Sequence, residues 1–332
     1  TPNAVKKQPR FVKRGCSCFG KNNPKPLSDS RKSGTLGFIK SSVGILFSYA
    51  CEPAGEGSGL QNVENLLKQE AIDQWGICAF EDVLPLLNVR SKSRIPEQAC
   101  SVLVMLFGYY VGDYTNRNIS RYAIVDDYHV VIRGKLEKLA EKLRNLYNNH
   151  DFIPFVDSSP VAEVRAAQFA GLGEIGMNGQ LLNPVYGSYC FIGELVTTLD
   201  LPEAKKFSTG LCTHCGKCIA ACPTDALRAD GFQKERCRSH ITQKKGMLTS
   251  WEQEQIREGG FVWGCDRCTD ACPVNRNARR SAVRDFYEDI QPVVGQDNAG
   301  KLCGTKAYGW RGENVLLRNL DLISRKKADR GR

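Results

Sequence analysis

The sequence predicts a mixed α/β (α+β) domain that carries a small cysteine-rich domain in its C-terminal half. Strand-like and helix-like apolar patterns alternate over residues 60–170, as they do in domains where helices cover a sheet. Eight of the 15 cysteines then fall within residues 212–272. Such a concentration indicates a segment that is organised by its thiols rather than by an apolar core alone.

The first elements of the mixed domain follow from apolar periodicity. Residues 60–80 predict a helix followed by a strand, and the continuous apolar run over residues 99–111 predicts a buried strand. From Ile132 to Leu146 the apolar residues recur at spacings of four and three, which is typical of an amphipathic helix. The run FIPFVD then predicts a short strand that ends at Asp157.

A second helix is predicted over residues 160–170, with Pro160 in its first turn. It leads into GLGEIG at residues 171–176, which matches the GxGxxG pattern of dinucleotide-binding folds. In those folds the pattern follows a strand and opens a helix, whereas here it follows a helix. We therefore predict a sharp backbone turn rather than a nucleotide site.

The cysteine spacing predicts two [4Fe–4S] clusters. Residues 212–223 have the pattern CxxCxxCxxxCP, and residues 265–273 have the shorter pattern CxxCxxxCP. A cubane cluster takes four thiolates, and in two-cluster ferredoxins the cysteine before the proline ligates the other cluster. The first predicted ligand set is therefore Cys212, Cys215, Cys218 and Cys272. The second is Cys222, Cys237, Cys265 and Cys268, in which the isolated Cys237 supplies the ligand that the shorter motif lacks.

Two other interpretations of the cysteines are disfavoured. Paired CxxC motifs also suit zinc, but CxxCxxCxxxCP closes poorly around one tetrahedral ion, and the prolines have no role at such a site. A disulfide framework is typical of small secreted domains. This chain has 332 residues, of which 42% are hydrophobic, and no convincing secretory signal.

The net charge of +10 lies in the two ends of the sequence. Residues 1–35 carry nine Lys or Arg and one acidic residue, and residues 325–332 carry five and one. Residues 36–324 hold 32 basic and 34 acidic residues. The tails are expected to be solvated, and no apolar run is long enough to span a membrane.

His129 and Asp157 are the candidate catalytic residues outside the cysteines. His129 stands in DDYH just before the predicted amphipathic helix, and Asp157 closes the predicted strand. A lone histidine is commonly structural, and a carboxylate in this position commonly caps a helix. A carboxylate at a strand end can also donate a proton within a pocket, and the sequence alone leaves both roles open.

Several segments resemble the epoxyqueuosine reductase family, in order and at similar spacing, across about residues 60–323. They are RYAIVDDYHVVIRGKL (121–136), VDSSPVAEVRAAQFAGLGEIGMNGQLLNPVYGSY (156–189), the double-cluster region with FVWGCDRCTDACPVNR (261–276), and GWRGENVLLRN (309–319). The resemblance implies a cobalamin-dependent oxidoreductase. It would remove the epoxide oxygen of epoxyqueuosine in tRNA, the last step of queuosine synthesis, with electrons fed through the clusters.

The resemblance also implies residue roles. Asp157 matches the family's catalytic acid, and Tyr128 and His129 match its cofactor pocket. Further cofactor contacts are expected from Ser158, Gly171, Gly173, Asn178 and Tyr186. The family pattern is altered at three positions: Ser120 replaces a cysteine of some members, Val164 an arginine with Arg165 adjacent, and Met177 a lysine of many members.

The implied organisation is a basic tail at 1–58, a cobalamin-binding catalytic domain at 59–200, a ferredoxin-like domain at 201–290 and a C-terminal segment at 291–332 that packs back on the catalytic domain. Ferredoxin or flavodoxin is the expected electron donor, and tRNA is the expected substrate. A cytoplasmic monomer without a membrane partner is expected. Two alternatives stay open: a corrinoid reductase of a small molecule, similar to reductive dehalogenases, and an electron-transfer or corrinoid-activating protein without its own substrate.

Overall fold

The computed structural model of the protein describes residues 58–203 and 210–330. The predicted tail of residues 1–58 lies outside these ranges except for Ser58. The helices are α1 Ser58–Gln69, α2 Tyr128–Leu146, α3 Glu163–Phe169, α4 Lys217–Ala220, α5 Arg238–Thr242, α6 Ser250–Gly259, α7 Arg267–Asp270, α8 Ala299–Leu302 and α9 Glu313–Arg330. The strands are β1 Trp75–Ala79, β2 Ser101–Gly108, β3 Phe152–Val156, β4 Glu174–Ile175, β5 Leu181–Leu182, β6 Cys190–Thr197, β7 Leu227–Arg228 and β8 Gly231–Phe232.

A four-stranded sheet in the order β1-β2-β6-β3 forms the centre of the mixed domain. Every neighbouring pair in it is antiparallel. The predicted combination of helices and strands is confirmed, and the antiparallel pairing makes the arrangement α+β. The predicted helix and strand within residues 60–80 are α1 and β1, and the predicted buried strand within residues 99–111 is β2.

The sheet is covered by helices on both faces. Successive side chains of a strand point to opposite faces, and every residue of β2 is buried. Its odd-numbered residues 103–107 join the core that includes α2, whereas its even-numbered residues 102–106 join the core that includes α3. The continuous apolar run in the sequence therefore reflects a strand that is covered on both faces.

Helix α2 begins four residues earlier than the apolar pattern predicted, at Tyr128. Its N-cap is Asp127, whose side chain accepts a hydrogen bond from the backbone N–H of His129. The exposed Val130 and the polar cap do not contribute to the apolar stripe, so the pattern detected only the buried part of the helix. His129 thus lies in the first turn of α2 rather than before it.

Helix α3 begins at Glu163, so the prediction that Pro160 lies in its first turn was wrong. The Ser159 hydroxyl accepts a hydrogen bond from the backbone N–H of Val161, which holds this segment in a turn ahead of the helix. Asp157 is therefore not a helix cap. The predicted sharp turn after the helix is confirmed, since Gly171 has φ +75° and the chain enters β4 three residues later.

The cysteine-rich segment holds the short helices α4 and α7, which pack together, and the β7–β8 hairpin. Helix α9 packs against α6, and the Asn319 amide donates to the carbonyls of Thr242 and Val262 at 2.8 Å each. Leu316 of α9 also joins the core of the mixed domain. None of the helices within the described ranges is both long and apolar enough to cross a membrane.

Candidate functional site

Four cysteines surround a single cavity of about 250 Å³. They come from the loop before α4, from α4 itself and from the segment just after α7, and they are Cys212, Cys215, Cys218 and Cys272. The backbone N–H of Lys217 lowers the pKa of the exposed Cys215 thiol, which favours the thiolate form that binds iron. The structure therefore brings together the first predicted ligand set around a space.

The second predicted set also lies together. Burial raises the pKa of Cys268, and the nearby thiols of Cys265, Cys237 and Cys222 raise it further. Burial also tends to raise the pKa of Cys222, but backbone N–H groups led by that of Leu227 outweigh it and lower the pKa. The isolated Cys237 thus approaches the thiols with which the spacing grouped it. In the described ranges no three His, Cys, Asp or Glu side chains are placed to hold a single metal ion.

Asp157 occupies the turn directly after β3 with φ +59°, a left-handed conformation that is uncommon for residues other than glycine. Its Oδ2 lies 3.1 Å from Nε2 of His129, and the two side chains keep 38% and 28% of their exposure. This strained backbone at a strand end directs a partly exposed carboxylate toward an imidazole. Such strain is characteristic of functional sites.

The imidazole of His129 bridges two carboxylates. Its Nδ1 lies 2.7 Å from Oδ1 of Asp127, on the side opposite Asp157. Burial by itself lowers the pKa of His129, but the hydrogen bonds with Asp127 and Asp157 outweigh burial and raise the pKa to about 9. At neutral pH the ring is therefore an imidazolium that donates to Asp127 and Asp157. The sequence singled out His129 and Asp157 but missed Asp127, whose position before the helix was the available signal.

Aromatic side chains stack against the imidazole of His129. The rings of Tyr128 and His129 lie 4.0 Å apart, and Tyr128 also stacks on Phe191 of β6 at 4.0 Å. Phe191 contacts Tyr109, which contacts Tyr189, and the Tyr189 hydroxyl donates to the carboxylate of Asp270 in α7. A continuous run of packed side chains thus fixes the carboxylate–imidazolium pair relative to the cysteine-bearing helix α7.

Glu194 supports the turn that carries Asp157, and sequence reasoning missed it. It is fully buried in β6, and the Ser159 hydroxyl donates to its Oε2 at 2.5 Å. Burial raises the pKa of Glu194 to about 8. The available signal was an acidic residue inside the otherwise apolar run CFIGELVT.

We expect Glu194→Gln to change how stability depends on pH. Glu194 has a pKa of about 8 when folded and an ordinary value of 4.5, so the folded chain holds the extra proton between these values. Stability therefore falls as pH rises through this window. Relative to wild type, the variant's midpoint temperature of unfolding should rise by roughly 5 °C between pH 5 and pH 8.

Anaerobic calorimetry at both pH values measures this change. The exposed Glu141 on α2 provides the matched control, because Glu141→Gln removes a carboxylate that is not buried. A pH dependence in Glu194→Gln equal to that of wild type would show that Glu194 is ionised throughout.

The remaining predicted cofactor contacts have different surroundings. Ser158 follows Asp157, and its carbonyl accepts a hydrogen bond from the Ser91 hydroxyl. Gly171 and Gly173 form the turn between α3 and β4, and a Cβ on Gly173 would lie 2.3 Å from the carbonyl oxygen of Leu182. Asn178 lines the cavity of the first thiol set.

Tyr186 does not face an open site in this structure. Its side chain is 1% exposed, its hydroxyl donates to Asp73 at 2.8 Å, and the guanidinium of Arg279 donates to that hydroxyl at 2.7 Å. A Cβ on Gly108 would lie only 2.5 Å from the Tyr186 ring. These contacts give Tyr186 a packing role, and its predicted contact with the cofactor stays a prediction.

The three altered family positions have distinct surroundings. Ser120 is buried, and its hydroxyl donates to the carboxylate of Asp266, beside the second thiol set. Arg165, next to Val164, lies over the Phe169 ring at 5.1 Å. Met177 lines the cavity of the first thiol set.

Comparison with known proteins matches these two parts of the molecule separately. Residues 211–275 match the family model "4Fe-4S double cluster binding domain", which agrees with the prediction of two clusters. Residues 91–158, which include Tyr128, His129 and Asp157, match the family model "Epoxyqueuosine reductase QueG, DUF1730".

Two curated relatives are epoxyqueuosine reductases. The protein from Lactococcus garvieae is 35% identical over 219 residues, which are 63% of this chain and 61% of the relative. The protein from Leadbetterella byssophila is 36% identical over 217 residues, which are 61% of this chain and 68% of the relative. The chain spans about half to three fifths of the length of the curated relatives that it matches first.

Solved structures show the same fold. The epoxyqueuosine reductase from Streptococcus thermophilus superposes with a TM-score of 0.69 at 25% identity, covering 82% of each chain. An epoxyqueuosine reductase solved with an epoxyqueuosine-modified tRNA stem loop has a TM-score of 0.67 at 23% identity, covering 80% of this chain and 81% of that one.

Proposed function

Since the chain belongs to the epoxyqueuosine reductase family, we propose that it removes the epoxide oxygen of epoxyqueuosine in tRNA to give queuosine. The proposal assigns it two [4Fe–4S] clusters, a bound cobalamin and Asp157 as proton donor. The main support is the Asp157–His129 pair, in which Asp157 occupies a strained turn. The same chain also contains two sets of four thiols. Acting on tRNA, the protein would work in the cytoplasm.

The surroundings of the thiols support the cluster part of the proposal. The first set surrounds a cavity of about 250 Å³, and backbone N–H groups favour the thiolate forms of Cys215 and Cys222. Backbone donors around the sulfurs are a usual feature of such sites. Because one electron passes through a cluster at a time, the two clusters suit a reaction that consumes two electrons.

The carboxylate–imidazolium pair supports the cobalamin part. The stacked rings of Tyr128 and His129 lie beside the partly exposed Asp157 carboxylate. This combination of aromatic and charged groups suits contact with the corrin ring of cobalamin and its amide side chains. These residues would hold the corrin on this proposal. When bound, cobalamin supplies a strongly nucleophilic low-valent metal for opening the epoxide.

Removing the epoxide oxygen as water takes two electrons and two protons. Asp157 is placed to give a proton to the departing oxygen, and the proton on Nε2 of His129 lies one hydrogen bond from Oδ2 of Asp157. The pair therefore stores one proton beside the departing oxygen, and the second proton would come from water after the imidazole is protonated again. Asp127 keeps the imidazole charged from its other side. Ferredoxin or flavodoxin would supply the electrons.

Turnover should fall as pH rises through about 9, because His129 then loses the proton that replenishes Asp157. Asp127→Asn should move this fall toward neutral pH, since it removes a carboxylate that raises the pKa of His129. Asparagine is also a good N-cap, so α2 is expected to stay intact. A pH profile of kcat measures the shift, and identical profiles for variant and wild type would contradict the role of His129.

Anaerobic reconstitution tests the proposal as a whole. The protein is loaded with iron, sulfide and cobalamin, reduced with a low-potential donor, and given epoxyqueuosine-containing tRNA. Formation of queuosine that depends on both cobalamin and the clusters is expected. Cobalt reduction without queuosine would contradict the proposal, and halide release from halogenated phenols in its place would favour a small-molecule reductase.

A further inference from the structure

We propose that the amide of Asn178 donates a hydrogen bond to the [4Fe–4S] cluster held by Cys212, Cys215, Cys218 and Cys272, and that it raises the reduction potential of this cluster. The inference rests on the cluster part of the proposed function. It assigns Asn178 to a cluster, whereas the family resemblance placed it only among the cofactor contacts.

Asn178 lies at the tip of a small hairpin against the thiol cavity. Strands β4 and β5 are joined by a tight turn in which the N–H of Gly179 donates to the carbonyl of Gly176 at 2.8 Å. Gly176, Met177 and Asn178 of this turn line the same cavity as the four thiols. The hairpin therefore supplies one wall of the space that the first cluster would fill.

One carboxylate attaches the hairpin to the first cysteine. Oε2 of Glu174 accepts hydrogen bonds from the backbone N–H groups of Leu211 and Cys212 at 2.8 and 3.1 Å. The position of the turn relative to Cys212 is thus fixed by two bonds to a charged acceptor, which are stronger than neutral ones. These bonds hold the hairpin that carries Asn178 against the cavity.

The amide nitrogen of Asn178 is buried and lacks a hydrogen-bond partner among the described residues. The side chain is 3% exposed, and its Oδ1 accepts from the backbone N–H of Gln180 at 3.2 Å. Oδ1 bonds to the turn itself, which leaves Nδ2 as the donor of this side chain without an acceptor among the described residues. A buried donor without a partner is costly, so its presence beside four thiols indicates an acceptor that belongs in the cavity.

Cluster sulfurs and thiolates are the acceptors that fit this position. A reduced cluster carries one more negative charge than an oxidised one, so a donor to its sulfurs stabilises the reduced form more and raises the potential. Met177, in the same turn, contributes no such donor. At a fixed solution potential, removal of the Asn178 amide should lower the ratio of reduced to oxidised cluster about three- to tenfold.

The test is a potential titration of the reconstituted protein followed by electron paramagnetic resonance, comparing wild type with Asn178→Ala. Ile175→Val is the matched control, since it changes an exposed side chain of the same hairpin that is not part of the cavity wall. We expect about eight iron atoms per chain in all three proteins, a lower potential for one cluster in Asn178→Ala, and unchanged potentials in Ile175→Val. Unchanged potentials in Asn178→Ala with its iron intact would overturn the inference.

A second measurement needs no variant. In wild-type protein labelled with ¹⁵N in asparagine side chains, pulsed paramagnetic resonance of the reduced first cluster should detect a ¹⁵N coupling, and its absence would overturn the inference. Cys237→Ala, which removes a ligand of the other cluster, should leave this coupling in place. If wild type binds no iron, the proposed cofactor content fails, and that outcome is distinct from a failure of the Asn178 assignment.

Discussion

Asp157→Asn should bind both clusters and cobalamin like wild type and reduce the turnover of epoxyqueuosine-containing tRNA by about 10²- to 10⁴-fold. The amide keeps the shape of the side chain and can still accept a hydrogen bond from His129, but it cannot deliver a proton to the departing oxygen. The loss is expected in kcat, measured under anaerobic, reductant-saturated conditions.

Asp151 offers a matched control at the opposite end of the same strand. It is exposed and precedes β3, so Asp151→Asn removes one carboxylate without touching the candidate site. It should retain wild-type turnover. A fully active Asp157→Asn variant would remove Asp157 from the catalytic role and leave its strained backbone as a structural feature.

Cys237→Ala should lower the iron content from about eight to about four atoms per chain. The remaining thiols of the second set, Cys222, Cys265 and Cys268, cannot supply a fourth thiolate. Electron flow to the site should then fail, with turnover lost and one paramagnetic cluster signal missing. Metal analysis and paramagnetic resonance of the anaerobically purified variant measure both effects.

Cys303 is the corresponding control. It is partly buried at the end of α8 and belongs to neither thiol set, so Cys303→Ala should keep its iron and its turnover. Eight iron atoms in Cys237→Ala would refute the ligand assignment and require another residue in place of Cys237.

The parts of the fold that sequence reasoning predicted are those with a strong local signal. The fully buried strand β2 appears in the sequence as an unbroken apolar run, and α2 appears as leucines at helical spacing. The start of α2 was placed four residues late because the regular helical spacing begins only at Ile132, although Tyr128 and Val131 also pack against the core. The start of α3 was misplaced because Pro160 fits a helix start locally, while the hydroxyl of Ser159 holds the chain in a turn.

The residues of the candidate site also separate into those with a local sequence signal and those without one. Motif spacing grouped the thiols without any knowledge of the fold, because the CxxC repeats and the cysteine before each proline, which ligates the other cluster, can be recognised in the sequence itself. Glu194 was missed because its partner, Ser159, lies 35 positions away in the chain. Asp127 was missed because its contact with the His129 imidazole depends on the exact start of α2. Asn178 and Tyr186 were grouped by the family resemblance, but the fold places one beside the thiols and the other in a packed interior.

The most direct test of the proposed function is a single-turnover reaction analysed by mass spectrometry. Protein containing both clusters and cobalamin is reduced, freed of excess reductant and mixed with epoxyqueuosine-containing tRNA. The tRNA is then digested, and the masses of its nucleosides are measured. We expect queuosine, lighter than its precursor by one oxygen atom, in an amount limited by the electrons stored on the protein. Unchanged epoxyqueuosine in the presence of fully reduced, cobalamin-loaded protein would contradict it.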